Sequence, residues 1–248
     1  MRVEGRHRSV YATRARLGLI VPPTNSVNES EWARMLPPGV GMHVTRMRLH
    51  ADSHSESGKA ALWADLAQAI GLLVPVRPDA IAYACTAGSM LIPPEQVADR
   101  MRGFAGVPCV STAFAIVQAL RSLGVRRVAV ATPYHDALNR HETEFLAACG
   151  FEVTKLIGLG IGAGGAEEYI RIAQTPIAEI EAHARAAMTD DADALLISCT
   201  DFPTLPLITA LEAEFARPVI SSNTATLWAS LRAAGIEDQV PAGGKLFG

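Results

Sequence analysis

The sequence predicts a doubly wound α/β protein built from two similar halves, each with a parallel sheet. One observation is a phrase that occurs twice. Asp79-Ala80-Ile81-Ala82-Tyr83-Ala84-Cys85-Thr86 returns as Asp193-Ala194-Leu195-Leu196-Ile197-Ser198-Cys199-Thr200. An acidic start, a short apolar run and a Cys-Thr stop read as a buried strand with a thiol at its C-terminal end. A second observation is that the neighbouring segments are echoed too. Arg16-Leu17-Gly18-Leu19-Ile20-Val21-Pro22 returns as Arg127-Val128-Ala129-Val130-Ala131-Thr132-Pro133, and Asn28 and Glu31 return as Asn139 and Glu142. Pro108-Cys109-Val110-Ser111-Thr112 returns as Pro218-Val219-Ile220-Ser221-Ser222, and the offset stays near 110–114 residues. That period is too long for a solenoid and marks an internal duplication. The third is the alternation of strand-like and helix-like segments in both halves, the pattern of parallel sheets.

Residues 16–21 read as the first strand, ended by the turn-forming run Pro22-Pro23-Thr24-Asn25-Ser26. A helix is predicted over 27–36, closed by Pro37-Pro38-Gly39, then a second strand over 41–49 and a polar loop at 51–58. An apolar-periodic helix over 59–74 leads into the Cys85 strand. Pro93-Pro94 opens a short helix, 107–111 reads as a strand, and a helix over 113–123 ends at Gly124. The second half repeats the cycle. It has a strand at 126–132, helix 135–149, strand 151–158, helix 166–188, strand 193–198, helix 204–215, strand 218–221 and helix 224–234. The expected division is a first lobe over 16–114 completed by 222–248, a second over 115–221, and an N-terminal arm over 1–15.

Composition narrows the class. A chain of 248 residues has room for two compact lobes of about 100–120 residues each. With 49% hydrophobic and only 19% charged residues, most of it is expected to be buried. A net charge of −3 gives no global attraction for nucleic acid. The basic cluster Arg2, Arg6, Arg8, Arg14 and Arg16 reads as a solvated arm. No apolar stretch is expected to approach a membrane span, and no apolar core follows the N-terminal arginines as in a secretory signal. The expectation is a cytoplasmic protein without nucleic-acid or membrane partners, with homo-oligomerisation left open. Its four cysteines lack C-x-x-C spacing and are expected as reduced thiols, with Cys109 and Cys149 as small apolar fillers.

Cys85 and Cys199 stand apart. Ligands of open parallel sheets bind beyond the carboxyl ends of the strands, so matched strand ends put one sulfur on each side of a shared cleft. A thiol acts as base or nucleophile once it is a thiolate, which a following helix N-terminus favours; the same N–H groups bind a carboxylate. Thr24, Asn25, Thr86, Ser89, Ser111, Thr112, Tyr134, Thr200, Ser221, Ser222 and Asn223 all fall at predicted strand ends. That lining is neutral and rich in hydroxyls, suited to orienting a small carboxylate. Two inert buried thiols would be the plainer reading, but the matched placement in both halves tells against it. Gly160-x-Gly162-x-x-Gly165 matches a dinucleotide fingerprint only as a string, since it sits mid-half with its acids near 179–181 on a predicted helix. It reads as a flexible loop near the site, and no cofactor is expected. His50 and His54 with Asp52 lack a further ligand cluster, so no metal is expected. Trp32, Trp63 and Trp228 read as core or interface residues.

Taken in order, several segments resemble the aspartate/glutamate racemase superfamily, and within it the maleate cis–trans isomerases and arylmalonate decarboxylases. The carriers are Gly18-Leu19-Ile20-Val21-Pro22-Pro23-Thr24-Asn25, Tyr83-Ala84-Cys85-Thr86-Ala87-Gly88-Ser89 and Ala131-Thr132-Pro133-Tyr134. They continue with Leu196-Ile197-Ser198-Cys199-Thr200 and Pro218-Val219-Ile220-Ser221-Ser222-Asn223, so the likeness spans 16–234. The resemblance implies two Rossmann-like lobes, an active site in the cleft between them, and chemistry without a cofactor. It implies Cys85 and Cys199 as the catalytic pair, with Pro22, Asn25, Thr86, Ala87, Tyr134, Thr200 and Asp201 binding a small carboxylate substrate. Arylmalonate decarboxylases resemble the chain around 123–148 and 196–223 but carry Gly in place of Cys85, which points here to two-thiol chemistry. Maleate isomerases carry an Asn in the segment corresponding to 160–166, where this chain has Gly160-Ile161-Gly162-Ala163-Gly164-Gly165-Ala166.

The expected activity is cofactor-independent isomerisation of a small carboxylic acid, foremost maleate-type cis–trans isomerisation by thiolate addition, rotation and elimination. The alternatives are a two-thiol amino-acid, hydantoin or 2-aryl acid racemase, an arylmalonate-type decarboxylase, and a non-catalytic small-acid binding protein.

Overall fold

The computed structural model describes residues 9–50 and 55–248; Arg2, Arg6, Arg8, Asp52 and His54 lie outside the described residues. The first half runs β1 (Ala15–Val21), α1 (Asn28–Met35), β2 (Val40–Arg46), α2 (Glu56–Leu73), β3 (Ala80–Tyr83), α3 (Thr86–Ser89), α4 (Gln96–Ala105), β4 (Cys109–Ser111) and α5 (Thr112–Ser122). The second runs β5 (Arg127–Tyr134), α6 (Asp136–Ala148), β6 (Glu152–Ile161), α7 (Ile177–Ala187), β7 (Ala194–Ile197), α8 (Ile208–Phe215), β8 (Val219–Ser221) and α9 (Ser222–Ala233). The strands form two four-stranded parallel sheets, ordered β2-β1-β3-β4 and β6-β5-β7-β8. Even the register repeats: Leu17 faces Ala80 in one sheet, and Val128 faces Ala194 in the other.

The central strands are apolar without alternation because both faces are covered. β3 and β7 are buried at all four positions. Between the sheets lie α5 and α9, packed against each other. Ala113, Ala115 and Ala119 on α5 and Ala225 and Ala229 on α9 are buried, and such small side chains let the two helices come close. α9 leaves β8 yet also packs on β3 and β4 of the other sheet, and one apolar core runs through both halves.

Four expectations need correction. The predicted helix over 166–188 is a 3-10 turn at Ala166–Arg171 followed by α7. Pro176 interrupts it, since proline has no N–H to donate and forces the preceding residue away from helical geometry. The predicted 204–215 helix likewise starts with a 3-10 turn, Leu205–Leu207, before α8. The second strand ends at Arg46, and β6 extends to Ile161. Finally, Glu56–Val76 is long and apolar enough by length and composition to cross a membrane. Leu62, Leu66, Ile70 and Leu73 of that segment are buried in the core with Ile20, Ile81 and Met101.

Candidate active site between the sheets

β3 and β7 end two residues before Cys85 and Cys199, leaving both thiols buried at the carboxyl edges of the two sheets. The thiols lie close enough to influence each other electrostatically. Each has its own phenol: the Tyr83 hydroxyl lies beside the Cys85 sulfur, and the Tyr134 hydroxyl beside the Cys199 sulfur. Strand periodicity places Tyr83, two residues before Cys85, on the same face. The amide of Gly88 also donates to the Cys85 sulfur. A Cβ at Gly88 would stand 2.6 Å from the Tyr83 hydroxyl and 3.0 Å from Cys85 Sγ, so glycine there is a matter of space.

The residues flanking the sulfurs lace the halves together. Thr200 Oγ1 donates to the Ala84 carbonyl at 3.0 Å and accepts from Asn25 Nδ2 at 3.1 Å. Thr86 Oγ1 donates to Ser222 Oγ at 2.9 Å, and Ser222 Oγ accepts the Cys199 amide at the same distance. Asp201 Oδ1 accepts the amides of Ser26 at 2.8 Å and Val27 at 3.3 Å. Asn25 Oδ1 accepts the amides of Val27 and Asn28, which turns its Nδ2 towards Thr200. Pro22 is buried and its carbonyl accepts the Asn25 amide, while Ala87 packs on the apolar cluster that holds Cys199 and Tyr134. Pro22, Asn25, Thr86, Ala87, Tyr134, Thr200 and Asp201 therefore all lie along this seam.

Several other expected lining residues serve the scaffold instead. Ser89 donates to the Cys85 carbonyl and accepts the Ala113 amide. Thr112 donates to the Tyr83 carbonyl, and Ser221 forms a capping box with Thr224. Asn223 donates to Glu31, whose carboxylate also accepts the amides of Thr204 and Leu205 at 2.6 and 2.7 Å. Small polar residues at helix starts are drawn to such orphan backbone groups. His50 pairs with Asp65 at 3.1 Å.

The expected stabilisation of thiolates by helix N-termini is reversed. Burial raises the pKa of both cysteines, although the Gly88 amide and the Tyr83 hydroxyl partly offset this at Cys85. α3 is a single turn, and Cys199 is followed by a non-helical stretch reaching Thr204, so neither sulfur faces the aligned peptide dipoles of a long helix. The halves also differ. The Asp201 carboxylate pushes the Cys199 thiol further up, and Cys199 holds a φ of +109°, a conformation that favours glycine. Such strain costs on the order of 1–3 kcal/mol and persists where the surroundings impose it. Here the Ser222 hydroxyl and the Phe202 amide hold that backbone on either side. At Cys199 the Tyr134 hydroxyl and the Asp201 amide oppose burial as the Gly88 amide and the Tyr83 hydroxyl do at Cys85. Each sulfur therefore has two donors for a thiolate, while the Asp201 carboxylate favours the protonated form of Cys199.

Glu142 shows how far the halves have diverged. Its counterpart Glu31 accepts four hydrogen bonds from three residues, whereas the buried Glu142 carboxyl has no partner in hydrogen-bond geometry. Burial raises its pKa from 4.5 to about 7, with the nearby Ser198 hydroxyl acting weakly the other way. A carboxyl whose folded pKa lies above its unfolded value contributes fully below the unfolded value. That contribution is lost as pH rises through the folded one. Glu142→Gln should remove a loss of stability on the order of 2–3 kcal/mol between pH 4.5 and about 7. Denaturant unfolding at both ends of that window tests this; identical pH dependence in wild type and variant would contradict it.

Tyr83, Gly88 and Tyr169 were not expected at the site. Tyr83 was legible from its place two residues before Cys85 in a strand, whereas Tyr169 lay hidden in a segment that reads as helix.

The comparisons agree with this geometry. The arylmalonate decarboxylase family profile matches residues 17–247. Maleate isomerase of Nocardia farcinica (strain IFM 10152) is 32% identical over 245 residues, covering 94% of this chain and 95% of that protein. A cysteine-to-alanine variant of maleate isomerase from Pseudomonas putida S16, crystallised with maleate, aligns with a TM-score of 0.84 at 29% identity, over 94% of this chain and 97% of that one. A cysteine-to-serine variant of the Nocardia farcinica maleate cis–trans isomerase with a covalently bound succinylcysteine intermediate aligns with a TM-score of 0.82 at 28% identity, over 94% and 98%. Fold, thiol pair and likenesses together define a two-lobed, cysteine-based isomerase. The chain belongs to the arylmalonate decarboxylase family, in which maleate isomerases are relatives along almost its whole length.

Proposed function

We propose that this protein converts maleate, or a close cis-enedioate, to the trans diacid, with Cys85 as nucleophile and Cys199 as acid and base. The observation that carries the reading is the pair of buried thiols at matched strand ends, each beside its own tyrosine. In the reacting form Cys85 is a thiolate and Cys199 a thiol. The Cys85 sulfur bonds to one alkene carbon, and the π electron pair moves to the other, which takes the Cys199 proton. The former double bond is now single and rotates. Cys199 then removes the proton, the electron pair re-forms the alkene, and the carbon–sulfur bond breaks to return the Cys85 thiolate. Addition and elimination balance, so the cycle needs no oxidant or reductant. Covalent attachment divides one hard rotation into easier steps.

One carboxylate would be held by the Asn25 amide together with the Thr86 and Ala87 backbone N–H groups. These two open a helix and so have no intrahelical acceptor. The Thr86 and Thr200 hydroxyls are already donated within the seam, which leaves binding to backbone groups at those positions. Tyr134 and Asp201 act by holding Cys199, and Pro22 by shaping the Asn25 turn. The succinylcysteine in the Nocardia farcinica enzyme supports this reading. The test is to incubate the protein with maleate, without added metal or cofactor, and follow fumarate. Fumarate formation is expected; no conversion of maleate or 2-methylmaleate would overturn the reading. Opposed thiols also suit a racemase, for which deuterium wash-in at the α-carbon of a chiral acid is the separating measurement.

A further inference from the structure

We propose that Tyr169 is a specificity-determining residue that donates a hydrogen bond to the second carboxylate of the substrate, making the site one for short diacids rather than monoacids. The inference rests on the reading above, in which the first carboxylate lies by Asn25 and the start of α3.

Three observations carry it. First, β6 runs alongside β5 until Ile161 faces Tyr134, the tyrosine beside the Cys199 sulfur. The chain therefore turns away at Gly162, directly beside the candidate site. Second, that turn is built to hold a ring inward. Gly162 has a φ of +95°, and a Cβ there would run into the Tyr169 ring, so the ring lies flat on the bare backbone. Glu168, the preceding residue, accepts the amides of Gly162 at 2.8 Å and Gly164 at 3.3 Å and pairs with Arg171 at 3.7 Å. This clamp fixes the glycine loop and Tyr169 together. Third, the Tyr169 ring packs on the apolar cluster that contains Tyr134 and Cys199, and Ala87 packs on the same cluster. Its phenol is close enough for both sulfurs to raise its pKa, after the larger effect of burial.

The hydroxyls of Tyr83 and Tyr134 each lie against one thiol, whereas that of Tyr169 is affected by both sulfurs and makes no hydrogen bond among the described residues. Arg46, which lies near Asp201, is tied to the Pro22 and Asn25 carbonyls and to Glu29. A second carboxylate lying between the sulfurs would thus meet Tyr169 as an uncommitted donor. A hydrogen bond to a charged group is of the strong kind, so losing it should cost about tenfold or more in affinity.

Succinate and butyrate, saturated and inert to thiol addition, separate the two carboxylates. Their binding is measured calorimetrically on wild type and on Tyr169→Phe, which keeps the ring on Gly162. The expected result is succinate binding weakened about tenfold in the variant, with butyrate binding unchanged. Unchanged succinate binding, or equal weakening of both acids, would overturn the proposal, since a merely structural loss would affect both alike. Wild-type turnover of maleate is scored separately. A wild type that makes fumarate but shows no succinate–butyrate contrast defeats only the role of Tyr169. A wild type that neither makes fumarate nor binds succinate defeats both readings.

Discussion

Cys85→Ala and Cys199→Ala are each expected to lower kcat by about 10⁴-fold or more while leaving carboxylate binding largely intact. The reason lies in how the site is divided. Cys85 comes from the first sheet and Cys199 from the second. Cys109 shares the apolar cluster of Cys85 but sits at the start of β4, opposite Ile81, and Cys149 lies in another cluster, so neither is at a carboxyl edge. Without the Cys85 sulfur the alkene has no nucleophile; without the Cys199 proton the adduct carbanion has no acid. Asn25 and the first amides of α3 remain in both variants, so affinity for a saturated diacid should survive. The double variant should be scarcely worse than either single one, as for groups that act as a unit. Turnover and calorimetric binding on all three variants check this. Near wild-type turnover in one single variant would show that one thiol suffices.

Gly88→Ala is expected to cut kcat by about 100-fold with little loss of stability. The new Cβ would meet the Tyr83 hydroxyl at 2.6 Å and the Cys85 sulfur at 3.0 Å, so one or both must move. Gly88 has no positive φ, and the backbone itself accepts alanine. The damage therefore falls on the position of the nucleophile, where a displacement near 1 Å costs on this scale. Gly71→Ala in α2 and Gly103→Ala in α4 are controls, since a Cβ at either meets nothing within 4 Å. Both should gain about 0.5–1 kcal/mol of stability from the helix preference of alanine over glycine, without change in kcat. Thermal unfolding and steady-state kinetics on the three variants decide it. An unaltered kcat in Gly88→Ala would mean the Tyr83–Cys85 arrangement is catalytically unimportant.

The duplication made the architecture legible. Apolar runs such as Ala80–Tyr83 and Ala194–Ile197 announce buried parallel strands, and their identical stops at Cys-Thr locate the seam. Helices failed to be read correctly where a local rule cut across periodicity, as Pro176 does within 166–188. Propensity also could not say what a polar residue at a strand end is for. Thr86 and Thr200 lace the halves, Ser221 caps a helix and Asn223 holds Glu31, all with the same sequence signature. The expected thiolates failed for a different reason. A local N-terminus is visible in sequence, but the burial that outweighs it is a property of the assembled halves. Tyr169 reaches the cleft only through the glycine turn and the Glu168 clamp, neither of which a helical reading contains.

The central claim is that Cys85 attacks the substrate while Cys199 handles its proton. Mass spectrometry of Cys199→Ser incubated with maleate tests it most directly: a carbanion slowly protonated by the serine or by solvent has no Cys199 base to take the proton back, so the adduct should accumulate. The expected result is one added maleate mass per chain, located by peptide mapping on Cys85 and absent from Cys85→Ala. Fumarate production without any adduct at Cys85, or an adduct carried by another cysteine, would contradict the account.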